Sequence, residues 1–220
     1  VIRLVARKEC FTNCYLAHLV ASLQQAHEIE PEWRDPLTID EKLSKLAGST
    51  LLLQCRTPTL AEFPSTLGQV TARLMDALGI ESLLAVMMVR CSWLAQRNDY
   101  APVKAALERI EQWLGSECDF EGGLLADRAS MTELLETIFW LSRCCASLPD
   151  IYLAPPKEAF AFSVCKHGVL HLEPYSSSQR ILLCGESSKL GFRLLTRGSS
   201  CDDSFSDIEG PAIPGRKIEV

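Results

Sequence analysis

The sequence predicts an α+β protein, mainly α: a helical bundle or short α-solenoid followed by a small antiparallel β-meander. Three observations predict it. Apolar residues recur at helical spacing through most of positions 1–150, the pattern of helices that bury one face. Beyond Pro155-Pro156 the period falls to two, with Phe160, Phe162 and Val164 alternating with small or polar residues, as in a half-buried strand. Short Gly-, Pro- and Ser-bearing stretches separate the units. The division that follows is a helical body over 1–150, a four-stranded β-rich segment over 155–197 packed on it, and a flexible acidic tail over 198–220.

From Ile2 to about Glu28 the pattern reads as one amphipathic helix, with Leu4, Phe11, Cys14, Tyr15, His18, Leu19 and Ser22 on one face. Pro31 and Pro36 end it. Thr38, with Glu41 three residues on, forms a capping box for a short helix through Leu43 and Leu46, stopped at Gly48. Leu51 to Leu53 is too short a run to reveal a period. Leu67, Val70, Leu74 and Leu78 make the next helical stripe, and Ile80, Leu84, Met87, Cys91 and Leu94 make another. Asn98 or Asp99 caps a helix with Pro102 in its first turn and a stripe of Val103, Ala106, Leu107, Ile110 and Trp113 or Leu114. After an acidic loop from Glu117 to Gly123, Ser130 and Glu133 open a helix along Met131, Leu134, Leu135, Ile138, Leu141 and Cys145. In the C-terminal part, Lys166-His167-Gly168 makes a turn and Val169 to Glu173 a second strand. Arg180 to Cys184 gives a third strand, and Leu190, Phe192 and Leu194 mark a fourth. No fixed-period repeat is present, which favours a bundle over a solenoid.

At 47% apolar and 23% charged residues, the chain can bury a sizeable core and is not of disordered composition. Its net charge of −6 and pI near 5.3 argue against nucleic acid, which needs a basic face to neutralise phosphates. No apolar run reaches the length needed to cross a bilayer, so membrane insertion is not expected. The first residue is Val, which suggests a fragment or a processed form. Ten cysteines are scattered along the chain without a short, loop-rich scaffold, and there is no Asn-x-Ser/Thr acceptor. Both features fit an intracellular protein, cytoplasmic or nuclear, with reduced thiols.

Two clusters have ligand chemistry. Cys10, Cys14 and His18 stand at i, i+4 and i+8. On one helix the outer pair would lie about 12 Å apart, too far for a single tetrahedral ion, so core packing is the better reading. Cys165, His167, His171 and Cys184 fall on the expected hairpins. Two thiols and two imidazoles form a chemically sensible metal set, although no CxxC knuckle supports it. Phosphate-cradling glycine loops and a GxSxG elbow are absent. No cofactor is called for, and no residue is assigned a catalytic role.

The tail holds the one short segment with recognition character: Asp202, Asp203, Ser204, Phe205, Asp207, Ile208 and Glu209. Phe205 and Ile208 stand three apart among carboxylates, so an extended peptide could seat both in apolar pockets with a basic rim. The segment resembles the aromatic-x-x-aliphatic motif by which autophagy adaptors bind ubiquitin-like proteins. That resemblance covers about nine residues and implies a protein partner. The function expected is a non-enzymatic interaction module, or a scaffold or adaptor subunit of an intracellular complex. The alternative is a thiol- or zinc-dependent enzyme built on the C-terminal Cys/His cluster.

Overall fold

Helix and strand alternate from the first residues onward. The computed structural model describes residues 1–46, 50–95, 98–145, 148–195, 201 and 205–207. In place of one long N-terminal helix stand strand β1 (Ile2–Val5), a single turn α1 (Arg7–Cys10) and helix α2 (Cys14–Ala26). Asn13 causes the break: its side-chain oxygen accepts from the backbone N–H groups of Tyr15 and Leu16, capping α2 there. After a 3₁₀ turn at Pro31–Trp33 come α3 (Glu41–Leu46), β2 (Leu51–Gln54), β3 (Thr57–Thr59) and α4 (Phe63–Ala77). Asp40, two residues beyond the expected Thr38, caps α3 through the Lys42 amide at 2.8 Å.

Next are β4 (Ser82–Met87), α5 (Ala101–Leu114), β5 (Gly123–Asp127) and α6 (Met131–Cys144). The C-terminal part holds β6 (Ile151–Ala154), β7 (Phe160–Val164), β8 (Val169–Pro174), α7 (Ser177–Lys189), β9 (Arg193–Leu195) and β10 (Phe205–Asp207).

Eight strands form one sheet in the order β1-β5-β4-β6-β7-β8-β2-β9, every neighbouring pair antiparallel. This overturns the expected helical bundle with an appended meander. Strands from the first 150 residues pair with those of the C-terminal part: β4 with β6, and β2 with both β8 and β9. A second, two-stranded sheet joins β10 to β3 in parallel.

Side chains on the central strands divide between two layers, as the period of two requires. Leu83, Ala85 and Met87 of β4 face a large core with Leu153, Phe160, Phe162, Leu170 and Leu172, covered by α4, α5 and α6. Leu84 and Val86 face the other way and pack with Ala154 and Ala161 beneath Leu16 and Val20 of α2. A strand buried on both sides is apolar throughout and shows no alternation. That is why Ile80 to Met87 read as a helical stripe.

The expected third strand, Arg180 to Cys184, lies within α7, which Ser176 opens by accepting from the Gln179 amide. The expected fourth strand shrinks to Arg193–Leu195 at the sheet edge. The expected helices around Leu67, Val103 and Met131 correspond to α4, α5 and α6. Among the described residues no helix is long and apolar enough to cross a membrane.

Candidate metal centre

The β7–β8 hairpin positions the donors. Phe162 and Val164 enter the large core, so Ser163 and Cys165 turn to the opposite face of the sheet. On β8, Leu170 and Leu172 enter the same core, which sends His171 to that opposite face as well. Ser163 pairs with His171 across the hairpin, and the Cys165 amide donates to the Val169 carbonyl at 3.0 Å. Cys165 and His171 are therefore diagonal cross-strand neighbours, within reach of one another.

Cys201 completes the group. Its Sγ stands 3.3 Å from His171 Nε2, and the donor atoms of Cys165, His171 and Cys201 all lie within 4.8 Å of one another. Zinc bonds of about 2.3 Å to sulfur and 2.0 Å to nitrogen place tetrahedral S···N pairs about 3.5 Å apart and S···S pairs about 3.8 Å apart. The observed spacing is that of a site needing only small side-chain adjustments. All three residues are partly buried and line a cavity of about 430 Å³ with Asp150, Tyr152 and Ser163.

Burial dominates the electrostatics. It pushes the Cys165 thiol up to about 11, opposed by the backbone N–H groups of His167 and Val169, which favour the thiolate. Burial also holds His171 below the ordinary histidine value, opposed by the nearby Asp150 carboxylate. At neutral pH the imidazole is thus a free-base ligand, and Cys165 rests as a thiol rather than as a nucleophile. Metal binding would displace thiol protons and place the sulfur charge against the two amides.

Of the four residues expected to form a metal set, the structure brings Cys165 and His171 together. His167 lies in the intervening turn and lines the same cavity. Cys184 sits on α7 and packs against the large core, across the sheet from His171, so it does not join them. Cys201 takes its place. It escaped the sequence reading because thirty residues separate it from His171 and no spacing rule links a tail to a hairpin.

The N-terminal set does not converge. Cys10 is buried beneath the sheet, with Sγ directed at the Val5 and Ala6 carbonyls. Cys14 is exposed, and His18 Nδ1 accepts from the Asp40 amide at 3.1 Å.

The tail segment is placed in part. Phe205 and Asp207 lie in β10, in register with Thr57 and Thr59; Asp202, Asp203, Ser204, Ile208 and Glu209 lie outside the described residues. Phe205 is only 6% exposed. Its ring packs 5.2 Å from that of Phe63 and lies 4.7 Å from the Arg143 guanidinium. Arg143 also donates to the Lys166 carbonyl at 2.8 Å, linking the docked phenylalanine to the residue after Cys165. No protein-family model matches the chain and no curated protein matches its sequence.

Proposed function

We propose that this protein is a zinc-binding interaction module, in which an ion held by Cys165, His171 and Cys201 ties the C-terminal segment to the main sheet. The observation that carries the reading is the convergence of two thiols and one imidazole within 4.8 Å. This donor set suits zinc better than the hard cations, which prefer oxygen. The ligands come from a hairpin and a distant segment, which is the work of a structural cross-link. His167 lines the same cavity, but its ring nitrogens fall outside the 4.8 Å group.

A protein partner suits the β9 margin of the sheet. Ile181, Leu182 and Leu194 are 73%, 45% and 45% exposed, beside the edge strand β9. Apolar side chains gathered at a sheet edge favour contact with another protein.

The cavity favours a second reading, a zinc-dependent hydrolase. There the fourth position would hold a water whose pKa the ion lowers, with the Asp150 carboxylate on the cavity wall to receive its proton. Cobalt(II) titrated into the reduced protein tests both readings. One equivalent should give thiolate-to-metal charge transfer and tetrahedral ligand-field bands, both lost in Cys201→Ser. A featureless spectrum would remove both. Ester or phosphoester hydrolysis by the zinc-loaded protein, lost in Asp150→Asn with the metal retained, would move the assignment to the hydrolase.

A further inference from the structure

We infer that metal binding and docking of the C-terminal strand form one coupled equilibrium: an ion held through Cys201 keeps Phe205 buried, and loss of the ion frees it. This deepens the zinc reading and rests on it. Cys201 is the only one of the three donors that lies outside the β7–β8 hairpin. Four residues further on, Phe205 fills the space beside Phe63 and under Arg143, while β10 pairs with β3.

β10 is three residues long, and its pairing together with the burial of Phe205 has to offset the ordering of the segment. Cys201 without an ion contributes only weak thiol contacts, to the His171 imidazole and to the Cys165 thiol. Together they act as a bivalent tether, because docking Phe205 raises the local concentration of the Cys201 thiol at the site, and the reverse. Linkage makes the effect reciprocal: zinc protects Phe205, and Phe205 tightens zinc.

The consequence is regulatory. Phe205 is the aromatic residue of the acidic recognition segment, and one ring cannot fill this chain's core and a partner's pocket together. The metal-bound protein withholds the segment, and the metal-free protein offers it to a surface with an apolar pocket and a basic rim.

Chymotrypsin cuts after exposed aromatic residues, so the cleavage rate at Phe205–Ser206 reports release directly. Cleavage at the exposed Trp33 serves as an internal standard. With zinc at a hundred times its Kd the expected protection at Phe205 is roughly tenfold to a hundredfold, the upper bound being set by mass action. Protection should vanish in Cys201→Ser, and Phe205→Ala should weaken zinc binding by roughly tenfold or more, as a less populated competent state requires. Circular dichroism of both variants checks that each still folds.

Zinc bound at one equivalent, with unchanged cleavage at Phe205 and unchanged affinity in Phe205→Ala, would overturn the coupling and leave the metal site standing. Absence of zinc binding to the reduced wild-type chain would overturn both.

Discussion

Replacing Gly168 with alanine should destabilise the protein through two separable effects. Gly168 has φ of +74° in the turn between β7 and β8, and its amide donates to the Cys165 carbonyl at 2.8 Å. An L side chain in this left-handed region costs about 1–2 kcal/mol. A Cβ there would also stand 2.3 Å from Phe63 Cε1 and 2.4 Å from Cζ. The Phe63 ring cannot retreat, because it is fully buried with Phe139 and Phe205 at centroid distances of 5.1 and 5.2 Å. Forcing such a core to repack costs a further 1–3 kcal/mol or so.

Gly191 supplies the control. Its φ is +85°, but a Cβ there meets nothing within 4 Å, so alanine incurs the conformational cost alone. In urea unfolding followed by circular dichroism, Gly168→Ala should lose about 2–5 kcal/mol and Gly191→Ala about 1–2. Each kcal/mol should lower Tm by roughly 2–4 °C for a chain of this size. Equal losses at the two sites would refute the steric argument and the placement of Phe63 beneath the hairpin.

Other expectations follow from different parts of the molecule. Arg7 and Asp35 form a buried pair at 2.7 Å, with side chains 13% and 4% exposed, and Gln24 donates to the same carboxylate. Asp35→Asn leaves the largely buried Arg7 guanidinium with its two carbonyl partners but no counter-charge, and should cost roughly 3–5 kcal/mol in denaturant unfolding; a loss below about 1 kcal/mol contradicts the pairing. Burial holds the folded pKa of His18 below 6.5, so the unfolded chain takes up more protons as pH falls. The resulting stability is complete above about pH 6.5 and declines below it. His18→Gln should flatten part of that decline, His171 keeping the rest by the same sign; an unaltered slope in unfolding measured across this range would reject it. Under native conditions Cys14 and Cys118, both exposed, should react quickly with a thiol reagent. Cys10 and Cys144, buried and raised to about 11 and about 12, should lag by orders of magnitude. Mass-resolved labelling that shows equal rates would contradict the burial pattern.

Where one face of an element meets water, the sequence made it legible. α5 shows a clean stripe of Val103, Ala106, Leu107, Ile110 and Leu114, all buried, against exposed Lys104 and Glu111. The central strands were illegible for the opposite reason. β4 is covered on both faces, so Leu83 to Met87 offers no polar residue to reveal a period of two. Arg180 to Cys184 failed differently: Ile181 and Leu182 are exposed on a helix, and local apolar content suggested a strand that the Ser176 cap forestalls. At the candidate site, a hairpin turn at Lys166 to Gly168 already implies that Cys165 and His171 share a face. Cys201 had no such signal, since thirty residues and no shared element link it to His171.

Native mass spectrometry of the reduced chain, loaded with zinc and then desalted, tests the donor set most directly. The wild type and Cys184→Ser should each carry one zinc ion, and Cys201→Ser and His171→Ala should carry none. A wild type without zinc, or zinc retained after Cys201→Ser, would contradict the assignment.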